Sequence, residues 1–102
     1  MRIVDEIYKK VYDAVVEEIE LPDNWMRSKM EDCVDARSIL IHYLSKMGLS
    51  RTQIEVKTGL SKTAVRQHAN SYASRIKTRR MMLSWDTHIG RNLGACADKA
   101  AV

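Results

Sequence analysis

The sequence predicts an all-α protein, a compact bundle of about five helices that contains a helix-turn-helix and begins with a long amphipathic helix. The 102-residue chain contains one proline and four glycines, so residues that interrupt helices are rare. Apolar residues recur at spacings of three and four, which is the period of a helix. Hydrophobic residues make up 45% of the chain, enough for one modest core.

The first predicted helix covers residues 3–19 and ends at Leu21-Pro22, because proline disfavours helical geometry in the residue before it. Its apolar side chains form one broad stripe opposite the charged ones. The stripe consists of Ile3, Val4, Ile7, Tyr8, Val11, Tyr12, Val15, Val16 and Ile19. It has two compatible interpretations: packing against its own domain, or the interface of a homodimer.

Two further helices are expected before residue 50. Asp23 or Asn24 is a suitable N-cap for a short helix that runs to about Glu31. The next segment, residues 36–47, has apolar residues at helical spacing and is followed by Gly48, a residue type that commonly ends helices. We expect this segment to be the central helix of the core.

Residues 51–80 have the pattern of a helix-turn-helix. Ser50 and Gln53 have the spacing of a capping box at the start of a short helix. Gly59 provides a tight turn, and Ser61 is a suitable N-cap for the second helix. Apolar residues at positions 54 and 65 are placed to hold the two helices together, so the first turn of the second helix projects from the body.

Positive charge is concentrated in the same segment. Residues 51–80 carry eight basic side chains and one acidic one, whereas the whole chain has a net charge of +4. One surface that meets a polyanion is expected to show this distribution. The side chains predicted to contact DNA bases are Lys62, Thr63, Arg66, Gln67 and Asn70. Those predicted to contact phosphates are Arg51, Lys57, Ser61, Arg75, Lys77, Arg79 and Arg80.

A series of motifs runs from Ala36 to His68: an Arg-containing helix, an aliphatic-Tyr-Leu run, Gly-Leu-Ser, an isoleucine, a glycine turn and a Thr-x-Val helix start. They lie at Ala36–Arg37, Ile41–Leu44, Gly48–Ser50, Ile54, Gly59 and Thr63–Val65. The segment resembles the C-terminal DNA-binding domain of the bacterial replication initiator DnaA, and its layout is similar to that of the Trp repressor. The resemblance implies a compact helical DNA-binding domain with a transcriptional or replication-associated role.

The chain also departs from the initiator family. Ser61-Lys62 replaces the acidic-His pair that precedes the threonine, so the family's origin-box specificity is not implied. Glu55 stands where most helix-turn-helix proteins have a small residue, although a long charged residue there fits the Trp-repressor pattern. No nucleotide-binding P-loop motif occurs. We therefore expect a free-standing DNA-binding protein and not an initiator.

Other functions have little support in the sequence. Cys33 and Cys96 are far apart and are expected to be unpaired thiols in a reducing cytoplasm, and His42 has no second ligand at a useful spacing. Acidic residues surround Cys33 in the sequence, which is unfavourable for a nucleophilic thiolate. No apolar run reaches the roughly 20 residues that span a bilayer. We expect no enzyme activity, metal, cofactor, small-molecule ligand or membrane association.

Two alternatives to DNA binding remain. The chain could be a protein-interaction module that uses the apolar stripe of residues 3–19, with the basic face docking an acidic partner. RNA is a less favoured partner because the basic segment lacks exposed aromatic residues for stacking on bases. In either case residues 1–89 are expected to form a single domain. From Gly90 small residues dominate and the helical period is lost, which predicts a flexible tail over residues 90–102.

Overall fold

The computed structural model describes the backbone of residues 2–101 and the side chains of residues 3–94. These residues form five α-helices and no strand, so the all-α prediction is confirmed. The helices are α1 (Arg2–Glu18), α2 (Glu31–Lys46), α3 (Arg51–Thr58), α4 (Lys62–Thr78) and α5 (Arg80–Ala101). The Cα radius of gyration is 12.8 Å, the value expected of a compact domain of about 100 residues. None of the described helices combines the length and apolar character needed to cross a bilayer.

Helix α2 is the centre of the bundle. It contacts each of the other four helices, and its apolar side chains Ile39, Leu40, Ile41 and Leu44 are fully buried. It begins at Glu31, five residues earlier than the sequence predicts. Acidic residues in a first helical turn interact favourably with the helix dipole, and Glu31 and Asp32 occupy that turn here.

The apolar stripe of α1 packs against its own domain. Val11, Val15 and Ile19 are buried, and α1 contacts α2 and α5. Ile3 is 70% exposed. Five further residues of the stripe are only partly buried: Val4, Ile7, Tyr8, Tyr12 and Val16. The buried residues of α1 are therefore engaged within the domain, and a homodimer through the rest of this helix stays a prediction.

The short helix expected between Asp23 and Glu31 is absent, and this prediction is wrong. Residues 23–27 form turns instead, with a hydrogen bond of 3.0 Å from the Trp25 amide to the Pro22 carbonyl. The segment is too short to offset the cost of starting a helix by hydrogen bonding alone. Burial of the Trp25 ring in the core fixes the segment in its non-helical form.

The prediction of a tail that starts at residue 90 is also wrong for residues 90–94. Helix α5 continues through Gly90 and places Leu93 in the core. A Cβ atom on Gly90 would lie only 2.5 Å from the Tyr43 hydroxyl, so this glycine permits a close approach of two helices and does not end one. The rest of the predicted tail, including the Cys96 thiol, lies outside the described side chains, whereas Cys33 is buried and free.

Candidate nucleic-acid interface

The predicted caps and turn between α3 and α4 are confirmed. The Gln53 amide donates to the Ser50 hydroxyl at 3.2 Å, and the Gln53 side-chain oxygen accepts from the Ser50 amide at 2.9 Å, which completes a capping box. Gly59 ends α3 in the left-handed conformation, with φ of 74°. The Ser61 hydroxyl then caps α4 by accepting from the Ala64 amide at 3.1 Å. Local sequence therefore sets both boundaries of the turn.

The two predicted apolar anchors fix the angle between these helices. Ile54 of α3 and Val65 of α4 are both fully buried, and Leu60 packs against the same core from within the turn. The Thr58 hydroxyl donates to the Ile54 carbonyl at 2.7 Å and accepts from the Leu60 amide at 3.2 Å. This α3–turn–α4 unit is therefore held rigidly on α2, and the start of α4 stands at the surface.

The five side chains predicted to contact bases lie together on α4 and are all exposed. They are Lys62, Thr63, Arg66, Gln67 and Asn70, which we call the polar face of α4. Their spacings of one, four, five and eight residues place them on one side of a helix. Within the described part of the chain, none of these side chains makes a hydrogen bond or ion pair with another residue. The polar face is therefore free to bind another molecule.

The seven predicted phosphate contacts separate into two groups. Four of them, Arg51, Ser61, Lys77 and Arg80, are exposed, although the hydroxyl of Ser61 is engaged as the cap of α4. The other three are cations that form ion pairs inside the molecule. Lys57 is one of them and pairs with Asp5 at the start of α1. A surface ion pair of this kind is worth little energy and exchanges readily with other anions.

Arg75 and Arg79 form the remaining ion pairs. The prediction that these two residues contact phosphates therefore needs correction. Both bind Asp35, which is fully buried: Arg75 donates to it at 2.8 Å, and Arg79 donates to its second oxygen. Arg75 also donates to Glu31 at 2.9 Å, and this hydrogen bond, together with the charge of Arg75, lowers the pKa of Glu31. Arg79 reaches Asp32 at 3.4 Å. The two arginines hold the end of α4 on the start of α2.

A cluster of aromatic and polar groups also holds the second half of α4. The His42 and Tyr72 rings are stacked, with centroids 3.7 Å apart and planes within 4°. The Tyr72 hydroxyl donates to Asp86 at 2.5 Å, and the Tyr43 hydroxyl donates to the Asp86 carbonyl at 3.4 Å. Burial, followed by the charge of Asp86, raises the pKa of Tyr43 to about 12. These contacts join α2, α4 and α5.

A cleft that the sequence does not predict lies beside the start of α4. Its volume is about 430 Å³, and it is lined by Met26, Arg27, Arg37, Gly59, Leu60, Ser61, Ala64 and His68. Arg37 is 7% exposed and donates to the Trp25 carbonyl at 2.5 Å and to His68 Nε2 at 3.3 Å. No sequence motif joins these residues, because residues 27 and 68 are brought together only by the fold.

His68 lines this cleft as a neutral imidazole. Burial is the main cause that lowers its pKa to about 4, and the charges of Arg37 and Arg75 lower it further. The unprotonated Nε2 atom can then accept the hydrogen bond from Arg37. Among the described residues, no three His, Cys, Asp or Glu side chains are grouped as metal ligands, and His68 has no such neighbours.

A comparison of the chain with models of known protein families gives no match, and comparisons with curated proteins and with solved structures give none either. The residues and their geometry are therefore the basis for any function proposed for the chain.

Proposed function

We propose that this protein binds double-stranded DNA in a sequence-specific manner through the α3–turn–α4 unit, used as a helix-turn-helix, and acts as a small transcriptional or replication-associated regulator. The observation that carries the proposal is the polar face of α4. It consists of five exposed side chains suited to base edges, on the first turns of a helix that projects from a rigid support. Such a face has no role in holding the fold together.

The side chains of the polar face match the chemistry of the major groove, which is wide enough to admit an α-helix. Lys62 and Arg66 are donors suited to the O6 and N7 acceptors of guanine. Gln67 and Asn70 can each donate and accept at once, as the adenine edge requires. Positive charge on Arg51, Lys77 and Arg80 is placed on exposed surface, where it can bind phosphates without reading sequence.

The resemblance of Ala36–His68 to the DNA-binding domain of DnaA and to the Trp repressor supports the same proposal. In this interpretation α2 is the scaffold, α3 the supporting helix and α4 the recognition helix. Two copies bound to a palindromic site would require an interface outside the buried part of α1. The exposed side chains that remain for this purpose include Ile3 and Val56, which are 70% and 74% exposed.

The test is selection of binding sites from a duplex library, followed by affinity measurements over a range of salt concentrations. We expect enrichment of one motif and a steep loss of affinity with salt, with a log–log slope of roughly −0.9 per phosphate contacted. Arg66→Ala or Gln67→Ala should each cost about 1–3 kcal/mol on the selected site and relax the choice of base at one position.

The matched controls lie on helices that do not carry the polar face. Lys10→Ala removes one exposed positive charge from α1, and Asn92→Ala removes one exposed amide from α5. Both should leave the choice of bases unchanged. A wild-type chain that binds no duplex at about 50 mM salt would contradict the proposal. Stable binding to an acidic protein in that case would favour the protein-interaction alternative.

A further inference from the structure

Arg37 is a buried cation without an anionic partner. Its two hydrogen bonds go to neutral acceptors, the Trp25 carbonyl and His68 Nε2. Within the described residues no carboxylate forms an ion pair with it, and Asp35, two positions earlier in the chain, pairs with Arg75 and Arg79. Buried charges in proteins are normally paired, because removing a charge from water is costly. The Nη2 group of Arg37 donates to no described residue, and the side chain borders the cleft beside α4.

The same cleft contains the amino end of α4. Of the first four amide groups of this helix, Ala64 donates to the Ser61 hydroxyl and Val65 donates to the Ser61 carbonyl. The amides of Lys62 and Thr63 have no hydrogen-bond partner among the residues that the structure describes. Unpaired amides and the helix dipole make the start of a 17-residue helix favourable for an anion.

The remaining groups around the cleft add positive charge and no negative charge. Arg27 lies at the rim and is exposed, and none of the eight lining residues is acidic. His68 stays neutral there, because burial, followed by the charges of Arg37 and Arg75, lowers its pKa to about 4. The cleft therefore combines two guanidinium groups with the start of α4, and none of its lining residues is a counterion. The unpaired amides of α4 belong to Lys62 and Thr63, which lie between the lining residues Ser61 and Ala64 in the chain. A phosphate group, with oxygens that accept from guanidinium and amide donors, fits this arrangement.

We propose that the cleft holds one phosphate of the DNA backbone, bound by Arg27, Arg37 and the amino end of α4. The inference rests on the proposed function and adds a defined contact to it. The cleft lies directly beside Lys62 and Thr63 of the polar face, so a phosphate bound there fixes the position of α4 in the groove. A contact between Arg37 and a backbone phosphate does not depend on base sequence, because every nucleotide carries the same phosphate group.

Arg27→Ala and Lys29→Ala form the matched pair of variants that tests the proposal. Both residues are exposed cations in the segment before α2, but only Arg27 lines the cleft. Arg27→Ala should weaken binding to the selected duplex about tenfold and reduce the salt slope by about 0.9. The loss should be similar for unrelated duplexes. Lys29→Ala should retain most of the wild-type affinity and slope.

Arg37→Lys tests the buried cation while it keeps the charge. Lysine cannot reproduce the planar fork of donors, so affinity should fall about tenfold at an unchanged choice of bases. A circular dichroism spectrum and melting curve would show whether this variant is folded. Because Arg27 is exposed, the Arg27→Ala result decides the proposal even if Arg37→Lys does not fold. Equal affinities and equal salt slopes for Arg27→Ala and Lys29→Ala would overturn it.

His68 provides a spectroscopic signal from inside the cleft. An anion bound to Arg37 offsets the positive charge beside the imidazole, so the pKa of His68 should rise when duplex is added. The rise can be followed by NMR titration of the imidazole resonances, which are assigned by their loss in His68→Gln. It should be present in Lys29→Ala and reduced in Arg27→Ala. A His68 pKa that does not change in a wild-type complex would overturn the proposal.

A titration with inorganic phosphate at constant ionic strength distinguishes two ligands for the cleft. One is a phosphate of the DNA backbone, and the other is a free phosphate ion. If wild-type chain binds no duplex but phosphate raises the His68 pKa, the proposed function fails and the cleft is a site for free phosphate, which overturns the assignment to DNA. If duplex binds with one selected motif but Arg27→Ala behaves as Lys29→Ala, the function stands and the phosphate contact fails.

Discussion

The two halves of α4 carry similar basic and polar side chains but have different surroundings. In the first half, Arg66 and its neighbours on the polar face are exposed and form no hydrogen bond or ion pair with another described side chain. In the second half, Tyr72 binds Asp86, and Arg75 binds the buried Asp35 together with Arg79, the C-cap residue of the helix. A basic residue therefore supports the proposed DNA contact only where the fold leaves no acidic group within its reach. The first half is available for recognition because the second half anchors the helix.

The largest effect should come from removing the anion that anchors the second half. Asp35→Ala leaves Arg75 and Arg79 without their shared partner, and we expect a loss of about 3 kcal/mol in the free energy of unfolding. Part of each guanidinium can still reach water, so this loss should lie at the low end of the range for breaking a buried ion pair. Denaturant unfolding followed by circular dichroism measures this loss.

Asp32→Ala is the matched control, because Asp32 is exposed and only reaches Arg79 at 3.4 Å. It should change the free energy of unfolding by at most about 1 kcal/mol. Equal stabilities for the two variants would show that the ion pairs do not anchor α4, and the contrast between its halves would then be lost.

A smaller effect should follow from a methyl group placed against Tyr43, which belongs to the cluster that holds the second half of α4. Gly90→Ala would put a Cβ atom 2.5 Å from the Tyr43 hydroxyl, so that hydroxyl must move away from Asp86. We expect a loss of about 1–2 kcal/mol, measured as a lower thermal midpoint. DNA affinity should change little, provided that the measurement is made well below the midpoint.

Gly94→Ala is the control within the same helix, because a Cβ atom there would meet no atom within 4 Å. It should leave stability unchanged or raise it by up to about 1 kcal/mol through the better helix propensity of alanine. A stability for Gly90→Ala equal to that of Gly94→Ala would contradict the close contact with Tyr43.

The smallest effect concerns His68, which lies between the two halves of α4. Its pKa is about 4 in the folded chain and about 6.5 in an unfolded one, so the unfolded state binds more protons between these values. The stability associated with His68 is present above pH 6.5 and is lost as the pH falls from about 6.5 toward 4. Allowing for partial exposure, the loss between pH 7 and pH 5 should be about 1 kcal/mol.

His68→Gln should remove this part of the pH dependence and keep an acceptor for Arg37. The measurement is the difference in unfolding free energy between wild type and variant at pH 7 and at pH 5. This difference cancels the contribution of the carboxylates to the pH dependence, because they titrate in both proteins. If the two proteins lose equal stability over this range, the depressed pKa of His68 is wrong.

Features set by neighbouring residues could be predicted from the sequence. The capping box of Ser50 and Gln53, the glycine turn and the Ser61 cap each depend on residues within a few positions of one another. The apolar anchors Ile54 and Val65 follow from helical spacing, and so does the exposure of the polar face of α4. These interactions are local, so the order of residues contains the information needed to predict them.

Features that depend on distant residues could not be predicted. The turn at Trp25 replaced an expected helix because burial of one ring outweighed weak local propensity. Gly90 resembled the start of a tail, since its partner Tyr43 lies 47 positions earlier in the chain. Arg75 and Arg79 resembled phosphate ligands because their partner Asp35 is about 40 residues away.

The sequence by itself determined the helical class of this protein, the boundaries of the α3–turn–α4 unit and the location of its positive charge. The tertiary structure alone decided which positive charges are neutralised within the molecule and which face solvent. It also placed Arg27, Arg37 and the amino end of α4 around one cleft. The physical reason is that helix formation depends on neighbours in the chain, whereas the neutralisation of a charge depends on neighbours in space.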